Sequence, residues 1–352
     1  MQFGFCYIPD YYPDLHGEFR DWYERLLSEW AWADELGYDS VWIAEHRYPG
    51  YAFSSTPVVL QAMADRTKQI RIGTAVALIT QRHPVLSAEH WAAVDVLSGG
   101  RLNFGIGRGI SEYDFETVGV PSEESRERFE EAWEVIRRLW TEDEVVHNGK
   151  YWSFDVHTLR PRPLQQPMPP IYVSALASPE TYRWAGRNGY HLLVAPFLLD
   201  TNERQRGFLE IYREELANAG HDPAAFEVLG TYHLSIVERE SQLEGADQYF
   251  YNYLNFIQNT GKERTGVKEA LAGEANRAYQ TGEGLYKDVE AMRRQRTVIG
   301  TPQQCIELMS ELAEACGITG WSFEISYGGM PPEMTRDQMQ LFAEEVIPVL
   351  RP

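Results

Sequence analysis

Short apolar runs and amphipathic stretches take turns along the whole chain. "QFGFCYI" (2–8) is a strand-length apolar run, and the stretch Glu18 to Leu36 then repeats Trp22, Leu26, Leu27, Trp30 and Ala33 at helical spacing before Gly37 ends it. The alternation continues with "SVWIA" (40–44), a helix over 57–67, "IRIGTAVAL" (70–78), a helix over 84–97 and "RLNFGIG" (101–107). Phe129, Trp133, Ile136 and Trp140 form one stripe of a helix over 123–141, with charged residues opposite. Residues 144–170 interrupt the rhythm with an Asn-Gly turn between apolar runs and a Pro-rich exit, which predicts a surface hairpin. The pattern resumes with "PIYVSAL" (170–176), "HLLVA" (191–195), "EVLGTYHLSIV" (227–237) and "WSFEIS" (321–326), with helices after Ser178-Pro179 and over 202–219, 302–315 and 335–350.

Eight strand candidates, each followed by a helix, predict a parallel sheet with right-handed crossovers, and eight units close a (β/α)8 TIM barrel. An open doubly wound sheet is the alternative that the pattern alone leaves. The 352-residue length is compatible with one large barrel domain over 1–352. Residues 241–297, polar and glycine-dotted around "YFYNYLNF" (249–256), are too long for a simple connection and predict a helical insertion or flap over one end.

In a barrel, ligand groups belong at the C-terminal strand ends. Those ends carry Cys6 and Tyr7, then Glu45 and His46, Thr74-Ala75-Val76, Gly107-Arg108-Gly109, the Ser174–Ser178 stretch, Ala195-Pro196-Phe197, His233 and the Ser326–Gly329 stretch. "GIGRG" is not a dinucleotide fingerprint: the third glycine position is Ile110, and "ISEYDFETVGVP" reads as a loop instead of a helix start. The small residues would let a flat ligand lie against the backbone with Arg108 as an anion clamp; tight barrel packing with Arg108 in a surface ion pair is the other reading. Ser178 before Pro179 opens a helix whose free backbone N–H groups can hold a phosphate, whereas Thr301–Gln304 reads as a plain capping box. His46 at a strand end suits proton transfer near neutrality, and His83 before Pro84 could line the same mouth. No metal-ligand spacing such as HExxH occurs.

Composition narrows the setting. A formal charge of −20 repels phosphate backbones and anionic lipid, which argues against nucleic-acid and membrane partners and means that an anionic cofactor needs local arginines. No apolar run is long enough for a membrane span, and the first residues carry no export signal, so the cytoplasm is expected. Three cysteines, Cys6, Cys305 and Cys316, make no disulfide framework, and Cys305 and Cys316, spaced along one helix face, read as buried thiols.

Several pieces in order resemble the bacterial luciferase-like, flavin-dependent monooxygenase family: "GYDSVWIAEHRY" (37–48), "IRIGTAVAL" with "RHP" (82–84), "LSGGRLNFGIGRG" followed by "EYDFETVGV" (112–120), "SALASPET" (174–181) and "FAEEVIPVL" (342–350). The resemblance implies a homodimeric single barrel that binds reduced FMN from a separate NAD(P)H:flavin reductase. With O2 it would form a peroxyflavin and insert one oxygen atom into a small, mainly apolar organic substrate. By the same resemblance His46 is the active-site acid or base and Arg108 binds the phosphate. The segment Leu176 to Glu180 falls on the phosphate turn, where the family often carries an acidic residue in place of Leu176, and Ala175, Leu176, Ala177 and Ser178 are assigned to the cofactor. Thr74 leads into Ala75-Val76, which falls on a non-prolyl cis peptide against the flavin ring. Asp114 matches a family acid and, with Tyr7, Glu45, His83 and Phe197, is assigned to the substrate side. Two further readings share this fold: a deazaflavin-dependent hydride-transfer enzyme, and a flavin-binding subunit without turnover.

Overall fold

The computed structural model describes the chain except residues 9, 48–50, 157, 197–198, 200, 265–296 and 352, with the side chains of 156 and 257–264 also left aside. Its strands are β1 (Gln2–Tyr7), β2 (Ser40–Ile43), β3 (Arg71–Thr74), β4 (Ala77–Leu78), β5 (Leu102–Gly107), β6 (Val145–Asn148), β7 (Ser153–Val156), β8 (Ile171–Ala175), β9 (His191–Val194), β10 (Val228–Ile236), β11 (Thr297–Gly300) and β12 (Gly320–Glu324). β1, β2, β3, β5, β8, β9, β10 and β12 pair in that order, all parallel, and β12 returns to β1. This is a closed eight-stranded parallel barrel with helices outside, the TIM barrel that the alternation predicts; the open sheet is excluded by the β12–β1 pairing.

Strand periodicity divides the core in two. On β1, Phe3, Phe5 and Tyr7 face outward into the large cluster shared with the surrounding helices, while Cys6 joins Trp42, Tyr172, Leu193 and Leu229 inside the barrel. Large and small residues alternate within the barrel. A Cβ on Gly73 would lie 2.2 Å from the ring of Trp42, whose indole nitrogen donates to Ser40 Oγ at 2.9 Å. The barrel is therefore a packed interior, with a cavity at its C-terminal end.

Three local departures from the expected pattern have physical reasons. The run 70–78 is two strands, because the peptide Ala75-Val76 is cis and turns the chain between β3 and β4. Glu112–Thr117 is a short helix rather than a loop: Ser111 caps it by accepting from the Asp114 N–H, a local signal hidden in a polar stretch with no apolar stripe. β11, which begins at the boundary of the expected insertion, pairs with the outer half of β10 at His233–Ile236. The insertion is helical over Leu243–Arg264, and the rest of 241–297 lies largely outside the described residues. β6 and β7 form an antiparallel hairpin closed by Gly149 N–H to the Trp152 carbonyl at 2.9 Å. Among the described residues, no helix is long and apolar enough to cross a membrane.

Gly105 on β5 faces β3 so closely that a Cβ would stand 1.8 Å from the Thr74 carbonyl oxygen. Because that neighbour is backbone, Gly105→Ala is expected to destabilise the protein by about 3 kcal/mol or more, read from denaturant unfolding. Behind Tyr7, burial pushes the Glu29 carboxyl up to about 7, against the opposing effects of Arg25 and the Tyr7 hydroxyl. A carboxyl with a raised folded-state pKa binds its proton more tightly when folded. Its stabilisation is complete below the unfolded value of 4.5 and is lost as pH rises to about 7. Glu29→Gln is therefore expected to gain stability over the native chain at pH 8, by roughly 3 kcal/mol, and to gain little at pH 4.

Candidate active site

A cavity of about 610 Å³ opens at the C-terminal end of the barrel. Its floor is apolar, formed by Ile8, Ala75, Val76, Leu78, Ile106 and Leu193, with Cys6 and Thr231 among them. The lining also includes Arg108, Arg126 and Glu130, which lie near one another, with Ser178 and Thr181 of the Pro179–Asn188 helix and Arg204 of the Asn202–Asn218 helix. One end can thus take an anion and the other a flat, uncharged body.

The stretch "RLNFGIGRG" builds this arrangement by two different means. Gly105 and Gly107 give space to the chain itself: Thr74 Oγ1 donates to the Gly105 carbonyl at 2.7 Å and accepts from its N–H at 3.0 Å, and a Cβ on Gly107 would meet Val76 Cγ2 at 2.3 Å. Gly109 is needed for its φ of +85°, which turns the chain out of β5 toward the Glu112–Thr117 helix. The bare backbone of Gly105 thus serves contact between strands, while Gly107 and Gly109 also border the cavity. Between them Arg108 is held by Thr80 Oγ1 donating to its carbonyl at 2.7 Å, and its Nη1 donates to Ser125 Oγ at 3.4 Å. Burial and the neighbouring Arg126 lower the Arg108 pKa, with Glu130 opposing, so the guanidinium sits where an added negative charge would be stabilising.

Ser178 stands at the N-cap of Pro179–Asn188 with extended backbone and no side-chain cap bond, and Pro179 occupies the first turn. The helix tip therefore presents backbone N–H groups and the Ser178 and Thr181 side chains beside Arg108. Leu176 and Ala177 line the same wall, whereas Ala175 is fully buried behind it.

On the opposite side, β2 ends in Ala44 and delivers Glu45 and His46. Glu45 is buried and engaged on both oxygens: Arg47, Arg82 (2.8 Å) and Thr56 Oγ1 (3.2 Å) donate to it. It borders the cavity as the anchor of two arginines. The His46 N–H donates to the Phe53 carbonyl at 2.9 Å, and its half-buried imidazole borders the cavity and packs against Tyr51. Asp114, nearly fully buried on the short helix, also lines the cavity.

Of the residues singled out from the sequence, His46, Ala75, Val76, Arg108, Leu176, Ala177, Ser178, Glu45 and Asp114 come together here. Four lie elsewhere among the described residues. Tyr7 points outward by strand parity, its hydroxyl donating to Glu29 at 3.2 Å. His83 caps the helix Pro84–Leu97, accepting from the Val85 N–H at 3.3 Å, with its ring near Phe154. Thr74 and Ala175 are buried behind the lining. Phe197 lies outside the described residues. Cys6, named from its strand end, also lines the cavity, whereas Arg126, Arg204, Thr181 and Thr231 are lining residues that sequence reasoning missed. Arg126 sits on the polar face of an amphipathic helix, indistinguishable by pattern from Arg128 or Arg137, so only the crossover geometry reveals it. Thr231 could have been found by strand parity, since it lies on the inward face of a barrel strand.

Comparison with known proteins agrees with this geometry. A sequence model described as "luciferase-like monooxygenase" matches residues 1–319. The oxygenase component of a flavin-dependent trigonelline monooxygenase from Acinetobacter baylyi is 29% identical over 333 residues, covering 93% of this chain and 89% of that one. The crystal structure of the monooxygenase RslO1 from Streptomyces bottropensis superposes with a TM-score of 0.84 at 28% identity, covering 99% of this chain and 100% of the other. The oxygenating constituent of 3,6-diketocamphane monooxygenase from Pseudomonas putida, solved with FMN, shares the fold with a TM-score of 0.81 at 20% identity, covering 99% and 98%. The barrel, its mouth and the match across 1–319 together show that the chain belongs to the luciferase-like monooxygenase family, and with it to the oxidoreductases.

Proposed function

We propose that this chain is the oxygenase component of a two-component FMN-dependent monooxygenase, taking reduced FMN from a separate NAD(P)H:flavin reductase and adding one oxygen atom of O2 to a small, mainly apolar organic molecule. The observation that carries this reading is the polarity of the cavity: clustered arginines and a helix tip at one end, an apolar floor at the other, and His46 on the wall. The donor set fits FMN. Arg108, Arg126, Ser178 and Thr181, with the N–H groups of the Pro179–Asn188 tip, would hold the phosphate. Leu176 would contribute backbone contacts where a relative's acidic side chain could accept a hydrogen bond. Ala75 and Val76, with the other apolar residues of the floor, would lie against the ring system. When bound, reduced FMN supplies the electrons with which O2 is cleaved, one atom entering the substrate and the other leaving as water.

The protein's own part is positional and electrostatic. The buried floor keeps water from the reacting atoms, which delays wasteful release of hydrogen peroxide. His46 holds or moves the proton that separates nucleophilic from electrophilic oxygen transfer, its imidazole suited to exchange near neutral pH. Glu45, paired with Arg47 and Arg82, anchors the backbone beside it. An oxygenase component named among the relatives supports the separate source of reducing equivalents.

The first test is anaerobic titration with reduced FMN and, in parallel, with a reduced deazaflavin, followed by rapid mixing with oxygenated buffer. Reduced FMN binding with delayed peroxide release supports the oxygenase; tight deazaflavin binding without oxygen uptake replaces it with hydride transfer. Arg108→Ala is expected to weaken FMN binding about 10- to 100-fold, as loss of one charge-assisted contact of roughly 1.5–3 kcal/mol implies. His46→Ala is expected to bind FMN within about twofold of the native chain while losing most 18O incorporation from labelled O2, about 100-fold or more.

A further inference from the structure

The helix Ser125–Thr141 presents charges to the cavity in an order that changes sign. Its first turn stands against the end of β5, where Arg108 Nη1 donates to Ser125 Oγ at 3.4 Å. Arg126 and Glu130 follow four residues apart, so they share one helix face, and both line the cavity. Glu130 is near enough to Arg108 to oppose the effect of Arg126 on that guanidinium. The same glutamate also borders a second hollow of about 520 Å³ between this helix and the β6–β7 hairpin, lined by Glu127, Glu131, Glu134, Arg138 and His147. Its acids are held apart from one another: Glu127 pairs with Lys150, Glu131 accepts from the Tyr151 and Trp152 N–H groups, and Glu134 lies 4.0 Å from Arg138. Cavity and groove thus adjoin at the exposed carboxylate of Glu130.

A phosphate monoester held by Arg108, Arg126, Ser178 and Thr181 ends among those donors. A cofactor with more groups attached must place them beyond the phosphate. Along the helix face that carries Arg126, the next two positions are Glu130 and Glu134, about 6 and 12 Å further on. Negative charge carried past the phosphate on this side therefore meets carboxylates, and like charges at such spacing repel where protein walls limit solvent. We propose that Glu130 is a specificity residue for the cofactor: it admits a flavin that ends at its phosphate and disfavours one that carries negative charge beyond it. FAD carries such charge in its second phosphate, and a deazaflavin cofactor carries it in a lactyl-oligoglutamate tail. This rests on the reading of Arg108, Arg126 and the Pro179–Asn188 tip as the phosphate site. The FMN phosphate has two arginines to offset Glu130, whereas the extra charges of a tail have neither to themselves.

The experiment is anaerobic equilibrium titration of the full chain with reduced FMN, reduced FAD and the reduced deazaflavin with its oligoglutamate tail, which needs neither oxygen nor substrate. FMN and FAD share one ring system, so the ratio of their affinities reports only what lies beyond the first phosphate. The native chain is expected to hold FMN at least about 10-fold more tightly than either tailed cofactor. Glu130→Gln, an exposed and nearly isosteric change, is expected to strengthen the tailed cofactors about 5- to 10-fold and FMN by less than about threefold. Glu130→Lys should go further in the same direction. Glu134→Gln, one turn further on, should help only the longer deazaflavin tail, and by less. At about 0.5 M salt, where the Debye length falls to roughly 4 Å, the difference between Glu130→Gln and the native chain should shrink. If the native chain prefers FMN while both Glu130 variants leave the FMN-to-FAD ratio within about twofold, the filter is overturned and the FMN reading stands. If the native chain binds the deazaflavin as tightly as FMN, the cofactor reading fails and the filter fails with it.

Discussion

The contact between Thr74 and Gly105 is the constraint on which the site depends. One hydroxyl serves both the N–H and the carbonyl of Gly105, and no side chain separates the two backbones. This holds β3 against β5 at the level where the chain turns through the cis peptide Ala75-Val76, and Val76 then occupies the space that Gly107 leaves. The floor of the cavity and the emergence of Arg108 are set by the same pair of strands. A buried hydroxyl used twice on backbone leaves no polar group of its own facing the cavity, so the floor stays apolar.

Charge is distributed with equal economy. The chain carries 52 acidic against 32 basic side chains, yet Arg108, Arg126 and Arg204 line the cavity. At the same cavity Glu45 is paired with Arg47 and Arg82. Against an acidic surface, which disfavours anions in general, a local cationic end of a cleft becomes a selective place for one.

The two walls of the mouth are supported differently. The anion end is held by helices packed on the barrel in the ordinary way, with Tyr182 of Pro179–Asn188 donating to the Ala175 carbonyl at 3.0 Å. On the histidine wall, His46 packs against Tyr51 and Tyr51 against Phe256 of the helix after β10, and the His233–Glu324 pair lies beside that helix, with the His233 ring against Phe250 and Tyr253.

The sequence by itself determined a parallel sheet of eight strands joined by outer helices, because apolar runs alternate with amphipathic helices throughout, and the β12–β1 pairing then decided the closed barrel over the open sheet. It also placed His46, Arg108 and Ser178 at the mouth, since strand ends are legible from where an apolar run stops and a capping residue begins. Strand parity, which the sequence already contains, decides that Tyr7 faces the helices and Cys6 the interior. What only the tertiary structure decided is which distant residues meet. Arg126 and Arg204 join Arg108 because two crossover helices converge on one strand end, and no local pattern marks those arginines among their neighbours. His83 was drawn into a helix cap by its own chain rather than into the cavity. The glycines of "GIGRG" are legible as bare backbone, but whether a ligand or a neighbouring strand fills the space beside them is a property of the closed barrel. Three-dimensional closure brings Thr74 within hydrogen-bond reach of Gly105, 31 residues away along the chain.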